Sequence, residues 1–259
     1  MPTLAIGDRR LSYEDHGAGP VALLIHGSPG NGKAWAKVGE RLAGRHRVVA
    51  PDLPGYGETT PQAPGQPLDV AYACELLEAL VRHVGEPAVL AAHSYGGVVA
   101  LRLALRARVR IGALALFEPV AVNLLAMDGD AAAHAAVRSV FDGYVARVES
   151  GEDRAVRTMV DFWFGEGAFA GMPDPLAAYL TREAATNVRD VRATFGEAYS
   201  AGAFRDLPMP VVTVVGDRSP PITHRIGRLI AEHVPRGSFR TLAGANHAMT
   251  TTHADAMPR

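Results

Sequence analysis

The sequence has little cysteine and no surplus of charge of either sign. Its 259 residues include one cysteine, Cys74, which excludes a disulfide within the chain and a cysteine-rich metal cluster and is typical of a reducing compartment. Lys and Arg number 26 against 27 Asp and Glu, so the formal net charge is -1. Because proteins that bind a nucleic-acid backbone need a basic surface, we expect no nucleic-acid partner.

Long hydrophobic runs are also missing. No uninterrupted apolar stretch approaches the roughly 20 residues of a membrane span, and the nearest are the short runs Val21–Ile25 and Ala88–Ala92. The first ten residues reach Asp8, Arg9 and Arg10 before an apolar run of signal-peptide length develops, so we expect no export signal. We therefore predict a cytoplasmic protein that makes no membrane contact.

What is present is the composition of a folded domain, with 48% hydrophobic and 20% charged residues. Short apolar runs alternate with longer segments of helical period, which is typical of α/β folds with a largely parallel sheet. The predicted strands are Leu4–Ile6, Leu11–Glu14, Val21–Ile25, Arg47–Ala50, Ala88–Ala92, Ile111–Phe117, Val211–Val215 and Phe239–Leu242. The predicted helices between them are Lys33–Ala43, Leu68–Val84, Tyr95–Ala107 and Thr223–His233.

The rhythm changes between Pro119 and Pro208, where about 90 residues show helical pattern without a convincing strand. This segment is too long for a loop. The helices predicted in it are Ala131–Val148, Asp153–Phe164 and Leu176–Thr186. We interpret the segment as a helical cap, residues 120–207, inserted into a core formed by residues 1–119 and 208–259.

The sharpest chemical signal is A-A-H-S-Y-G-G at Ala91–Gly97, between a predicted strand and a predicted helix. It nearly matches the G-x-S-x-G nucleophile elbow, with Ala92 in place of the first glycine. Such a turn raises the hydroxyl of Ser94 above the sheet, at the positive end of the following helix. The pattern predicts that Ser94 is a nucleophile.

A second signal, H-G-S-P-G at His26–Gly30, directly follows the strand that ends at Ile25. A serine on an elbow needs a second backbone donor from a loop of this kind. We therefore predict an oxyanion hole formed by the backbone N–H groups of Ser28 and Tyr95. We expect His26 to support the loop.

Four segments follow one another in an order that resembles the α/β-hydrolase fold superfamily, in its serine-nucleophile branch of esterase-like and perhydrolase-like proteins. They are H-G-S-P-G from His26, P-D-L-P-G-Y-G at Pro51–Gly57, H-S-Y-G-G from His93, and A-G-A-N-H at Ala243–His247. The resemblance covers nearly the whole chain. It implies an eight-stranded, mostly parallel sheet flanked by helices, a helical cap inserted after strand six, and a Ser, acid and His triad in that chain order.

His247 is the candidate general base among the ten histidines. It lies in a glycine-containing loop after the last predicted strand. A neutral imidazole can accept the proton of a serine hydroxyl and return it to the leaving group.

The acid of the triad departs from the common pattern of the superfamily, because Ser219 stands where an aspartate is usual. Two carboxylates are candidates for orienting His247. Glu118 ends strand six, and it resembles the acid of the branch, seen among haloalkane dehalogenases, that keeps its acid after strand six. Asp217 lies two positions before the expected place. Both alternatives remain open from the sequence.

The likeness to haloalkane dehalogenases extends to Trp35 but ends at the nucleophile, where those enzymes have aspartate. Ser94 is suited to attack a carbonyl carbon, which indicates acyl transfer. Aromatic residues are frequent in the cap and predict an apolar pocket. Trp35 and Trp163 are the candidates for its wall, with Trp35 as a core or pocket-wall residue and not a halide ligand.

Together these observations predict a serine hydrolase that cleaves small, mainly apolar carboxylic esters or related acyl substrates through an acyl-enzyme. We expect no metal and no organic cofactor, a small molecule as the partner, and a monomer or homodimer. The alternatives are a perhydrolase, a carbon-carbon hydrolase or a lactonase on the same fold. A catalytically quiet small-molecule binder is a further alternative, motivated by Ser219 at the usual position of the acid.

Overall fold

The structure, a computed structural model, describes residues 1–87 and 89–256. Its strands form one sheet in the order β1-β2-β4-β3-β5-β6-β7-β8. The pairs β1·β2 and β2·β4 are antiparallel, and the other neighbouring pairs are parallel. The strands are β1 (Thr3–Ile6), β2 (Arg9–Gly17), β3 (Val21–Ile25), β4 (Arg47–Pro51), β5 (Val89–His93), β6 (Leu114–Phe117), β7 (Val211–Gly216) and β8 (Gly237–Leu242).

Helices connect the parallel strands and cover the sheet. Those of the core are α1 (Ala36–Leu42), α2 (Ala71–Val84), α3 (Tyr95–Arg106), α10 (Pro221–His233) and α11 (Met249–Thr252), with 3-10 turns at Gly32–Trp35 and Ala254–Ala256. Those between β6 and β7 are α4 (Asn123–Met127), α5 (Ala131–Glu149), α6 (Arg157–Phe164), α7 (Asp174–Arg182), α8 (Ala184–Gly196) and α9 (Ala201–Arg205). In the described part of the chain, no helix is both long and apolar enough to cross a membrane.

The predicted fold class is confirmed by this eight-stranded, mostly parallel sheet with helices on its faces. The central strand β3 is buried at all five positions, as expected for a parallel strand covered on both sides. The helical segment enters after β6, and β7 then pairs with β6. We call residues 120–207 the cap segment, and its status as a separate domain remains a prediction.

Some predicted elements begin later in the structure. Strand β6 starts at Leu114 and not at Ile111, because its partners in the ladder are Leu90 on one side and Val211 on the other, near the first residues of those strands. Helix α2 starts at Ala71 and not at Leu68. The carboxylate of Asp69 accepts a hydrogen bond from the Ala71 N–H and thereby satisfies a free donor at this helix start.

Two further differences concern the cap segment. The helix predicted over Asp153–Phe164 begins at Arg157. The stretch Leu176–Thr186 is divided between α7 and the longer α8, which meet at Glu183. The predicted strand Ala88–Ala92 corresponds to β5, but its first position, 88, lies outside the described residues.

Candidate active site

Ser94 occupies the tight turn between β5, which ends at His93, and α3, which begins at Tyr95. Its backbone has φ +53° and ψ -122°, a conformation that non-glycine residues rarely adopt. A Cβ atom at Gly96 would lie 2.4 Å from the carbonyl oxygen of His26. Glycine at this position lets α3 approach the end of β3, and the side chain of Ser94 is 6% exposed.

His247 lies in the loop between β8 and α11 and is 2% exposed. Its Nε2 is 3.0 Å from Ser94 Oγ, and its Nδ1 is 2.7 Å from Oε2 of Glu118. The ring of Trp163 stacks on the imidazole at 5.3 Å between centroids, and Phe164 meets it edge-on at 5.2 Å. Three side chains from the ends of different strands are therefore joined by a continuous hydrogen-bonded chain.

Glu118 directly follows β6 and is fully buried, with a positive φ of 45°. Its carboxylate accepts hydrogen bonds from the Gly216 N–H at 2.8 Å and from the Ser219 hydroxyl. Burial raises the pKa of Glu118, but the hydrogen bonds from His247, Ser219 and Gly216 outweigh it and hold the pKa below its usual value. The carboxylate facing His247 is therefore ionised at neutral pH.

The second candidate acid, Asp217, is exposed in the turn after β7. It makes no hydrogen bond to the ring of His247, whose two nitrogens face Glu118 and Ser94. Of the two carboxylates that the sequence left open, the structure brings Glu118 to His247. Sequence reasoning missed the hydrogen bond from Ser219 to Glu118, although the position of Ser219 in G-D-R-S-P could have indicated it. Ser219 stands at the position that an acid usually occupies, and its hydroxyl donates a hydrogen bond to Glu118, the carboxylate that contacts His247 instead.

His93 and His26 support the loops around Ser94. The Nε2 of His93 donates to the carbonyl oxygen of His247 at 2.8 Å, and burial lowers the pKa of His93 to about 3. The Nε2 of His26 accepts from the Leu53 N–H at 2.8 Å, so its Nδ1 carries the proton and donates to the Gly27 carbonyl. Burial lowers the pKa of His26 to about 4. Both imidazoles are therefore neutral at pH 7 and act as hydrogen-bonding supports.

The backbone N–H groups of Ser28 and Tyr95 belong to the loop after β3 and to the first turn of α3. Neither donates to a protein acceptor in the described part of the chain. They are available to bind an oxygen that carries developing negative charge, as an oxyanion hole requires.

A cavity of about 350 Å³ lies beside Ser94 and His247. Its wall includes Trp163, Phe164 and Leu180 of the cap segment. A second cavity of about 30 Å³ lies behind Ser94. Its apolar lining residues are Val120, Val122, Phe141, Met159, Trp163, Val191 and Phe195. Trp163 borders both spaces, and its contact with substrate remains a prediction.

Trp35 lines neither of these two cavities. The 3-10 turn Gly32–Trp35 directs the indole into a core cluster with Met249, where it meets Phe117 edge-on at 5.7 Å. It is 1% exposed. Of the two places predicted for Trp35, the core and the pocket wall, the structure shows the core, so the expectation that Trp35 helps to bind substrate is corrected and Trp35 is a packing residue.

Sequence reasoning also missed a buried carboxyl group, Asp190 of α8, which lines the small cavity together with Ser94. It accepts a hydrogen bond of 2.7 Å from the hydroxyl of Tyr56. Burial raises the pKa of Asp190 to about 7, against hydrogen bonds that lower it. No motif pointed to it, because its partners are distant in the sequence.

Metal ligation finds no support among these side chains. Over the described ranges, no group of three or more His, Cys, Asp or Glu residues is arranged to hold a metal ion. Independence from metals and organic cofactors remains a prediction.

The sequence model described as "Alpha/beta hydrolase family" matches residues 22–257. The haloalkane dehalogenase of Sphingobium indicum is 32% identical over 125 residues, which cover 47% of this chain and 42% of that protein. The pimeloyl-[acyl-carrier protein] methyl ester esterase of Vibrio vulnificus is 36% identical over 95 residues, which cover 37% and 35%. The aligned segments thus span less than half of each of these curated relatives. A solved structure of a thermophilic esterase from Thermogutta terrifontis has a similar fold, with a TM-score of 0.73, 23% identity, and coverage of 98% of this chain and 92% of that one.

Proposed function

The chain belongs to the α/β-hydrolase family, and we propose that it is a serine hydrolase that cleaves small, mainly apolar carboxylic esters through an acyl-enzyme. One observation carries the proposal, namely the hydrogen-bonded chain from Ser94 through His247 to Glu118, with distances of 3.0 and 2.7 Å. A base within this distance of a hydroxyl, held in turn by a carboxylate, is the arrangement that activates a serine.

In the first half of the reaction, Ser94 Oγ attacks the carbonyl carbon of the ester while its proton passes to Nε2 of His247. The ionised Glu118 keeps the proton of the imidazole on Nδ1 and stabilises the imidazolium. The carbonyl oxygen becomes an oxyanion that accepts hydrogen bonds from the backbone N–H groups of Ser28 and Tyr95, each worth about 3 kcal/mol in the transition state. The tetrahedral intermediate then collapses. His247 gives its proton to the leaving alcohol, and the acyl group stays on Ser94.

The second half repeats these steps with water as the nucleophile. His247 accepts a proton from the water as its oxygen attacks the acyl carbon. The bond from that carbon to Ser94 Oγ then breaks, the serine recovers its proton from His247, and the carboxylic acid is released. No step needs an oxidant, a metal ion or a cofactor to balance.

The two cavities support the choice of substrate class. They meet at Ser94 and share the wall formed by Met159 and Trp163. Mainly apolar linings stabilise apolar ester groups by removing their surface from water. The small cavity accommodates a group of few atoms, and the cavity of about 350 Å³ accommodates a larger one. We therefore propose esters with one short and one longer apolar side.

Labelling with a fluorophosphonate probe tests this proposal. We expect covalent modification of Ser94 in the folded protein, located by peptide mass spectrometry, and turnover of p-nitrophenyl butyrate. Ser94→Ala is the control and should lose both signals while keeping the melting temperature within a few degrees of wild type. An unlabelled Ser94 in folded wild-type protein would reject the proposal and would favour a catalytically quiet small-molecule binder.

The alternative activities predicted from the sequence use the same serine and base. Perhydrolysis, lactone hydrolysis and carbon-carbon bond hydrolysis each require the hydroxyl of Ser94 and its activation by His247 as the base. Comparing turnover of a simple ester with turnover of a lactone, with peracid formation and with carbon-carbon bond cleavage ranks them directly. A cytoplasmic location and a monomeric or homodimeric state remain predictions.

A further inference from the structure

Five polar side chains meet behind the catalytic serine and connect the cap segment to the core. They are Ser28, Tyr56, Tyr95, Asn187 and Asp190, and we call them the cap–oxyanion cluster. Ser28, Tyr56 and Tyr95 belong to the core, whereas Asn187 and Asp190 lie on helix α8 of the cap segment. All but Ser28 are buried, and Ser28 is half-buried. The cluster includes both residues whose backbone N–H groups form the proposed oxyanion hole.

The direction of the hydrogen bonds in this cluster can be followed atom by atom. Tyr144 donates to Oδ1 of Asn187 at 2.8 Å, so the amide Nδ2 of Asn187 faces Ser28 and donates to its Oγ at 2.7 Å. The hydroxyl of Tyr56 donates its proton to Asp190 at 2.7 Å. The oxygen of Tyr56 is 2.8 Å from Ser28 Oγ, and because the Tyr56 proton is already used, the Ser28 hydroxyl donates to Tyr56. Each hydrogen bond in this chain, from Tyr144 through Asn187, Ser28 and Tyr56, is therefore donated in the direction of Asp190.

Asp190 reaches Ser28 through the hydroxyl of Tyr56, and it lines the small cavity together with Ser28 and Tyr95. These two residues are far apart in the chain and belong to different elements, a loop after β3 and the start of α3. A single carboxyl group of the cap segment is thus linked by hydrogen bonds to the side chain of one oxyanion residue, Ser28, and borders the same small cavity as the other, Tyr95. Carboxylates accept several hydrogen bonds at once, which makes them effective organisers of nearby donors.

We propose that Asp190 is a positioning residue that sets the geometry of the oxyanion hole by holding the side chain of Ser28 through the hydroxyl of Tyr56. This inference rests on the proposed function. Donors to an oxyanion stabilise the transition state only when they point to where the charge develops. Small displacements of such groups lower the rate without weakening the binding of the ground state, and a misplacement of about 1 Å can cost up to about a hundredfold.

Two variants of Asp190 and one matched control test the proposal with p-nitrophenyl butyrate. We expect Asp190→Leu, which removes every acceptor, to lower kcat by about 10- to 100-fold with KM changed by less than about threefold. Asp190→Asn keeps one acceptor oxygen, so its kcat should lie between the kcat of Asp190→Leu and that of wild type. Glu197→Gln is the control, because Glu197 is a buried carboxylate at the end of the same helix that pairs with Arg102. It should keep kcat within about twofold.

The outcomes separate the inference from the proposed function. If wild type labels with fluorophosphonate and turns over ester while both Asp190 variants match its kcat, the positioning role is wrong and the serine hydrolase stands. A rise in KM alone would also overturn it, since that marks a substrate contact. Should Asp190→Leu lack a cooperative melting transition, Asp190→Asn decides, and an unchanged kcat in that variant rejects the proposal. Wild type without labelling or turnover would instead reject the proposed function.

Discussion

At the scale of the residue, Glu118 lies at the end of β6 and Ser219 in the turn after β7. These strands are parallel neighbours, with Phe117 opposite Val214, so their ends reach the same edge of the sheet. A carboxylate from either end can therefore reach the imidazole of His247. In this protein the carboxylate comes from β6, and the residue after β7 supplies a hydroxyl that helps to keep it ionised.

The two candidate acids give a residue-level prediction. Glu118→Gln removes the charge that stabilises the imidazolium of His247 and should lower kcat by about a thousand- to ten-thousandfold. Asp217→Asn makes the same chemical change at an exposed site and should leave kcat within about twofold. Steady-state kinetics with p-nitrophenyl butyrate measures both. A large loss in Asp217→Asn with normal activity in Glu118→Gln would reverse the assignment.

At the scale of the element, the turn from β5 into α3 depends on close contact with the end of β3. The backbone of Gly96 faces the carbonyl oxygens of Ile25 and His26, which an added Cβ would approach to 2.7 and 2.4 Å. Backbone atoms cannot move aside as a side chain can. The neighbouring Gly97 would similarly bring a Cβ to 2.7 Å from the ring of Pro119. The turn at Ser94 therefore fixes the positions of β5, the end of β3 and the start of α3 relative to one another.

Two glycine substitutions in helices test this constraint. Gly96→Ala should lower the free energy of unfolding by about 1–3 kcal/mol, because the methyl group overpacks the junction. Gly143→Ala, at an exposed position of α5 where a Cβ meets nothing within 4 Å, should raise it by about 0.5–1 kcal/mol through helix propensity. Urea denaturation followed by circular dichroism measures both. Equal stability of Gly96→Ala and wild type would contradict the contact.

At the scale of the whole molecule, one contiguous core joins the sheet, helices α2 and α3 and the cap segment. Cys74 of α2 lies within this core with no exposed surface. Burial raises the pKa of its thiol to about 12. Because the sequence has no other cysteine, the rate of thiol labelling measures only the opening of the core around Cys74.

Thiol labelling turns this into a prediction for the whole molecule. Ellman's reagent should react with the native protein at least about a thousandfold more slowly than with the urea-unfolded chain, because the thiol is both covered and neutral and the open state is rare. The rate should rise through the same urea range in which the circular dichroism signal is lost. Cys74→Ser controls for signal that does not come from the thiol. Prompt reaction under native conditions would show that α2 opens independently of the core.

The positions of the strands along the chain, the turn at Ser94 and the loop that carries His247 could be predicted from local sequence. Buried parallel strands are continuous apolar runs, so Val21–Ile25 and Val211–Val215 are visible without any partner. The turn at Ser94 requires small residues two positions before and after the serine, here Ala92 and Gly96, and His247 follows the last strand in a glycine-containing loop. These features depend on residues close together in the chain, and for that reason a pattern of residue types was sufficient.

The tertiary structure alone decided which carboxylate contacts His247, where the indole of Trp35 packs, and what surrounds Asp190. Glu118 and His247 are joined across the sheet edge, and Asp190 meets Tyr56 only because the cap segment folds back over the core. Burial is also a tertiary property, and it raises the pKa of both carboxyl groups, yet the net shift is downward for Glu118 and upward for Asp190. Glu118 has enough donors to outweigh desolvation, whereas Asp190 does not. That balance depends on the packing of distant segments, which local residue patterns do not encode.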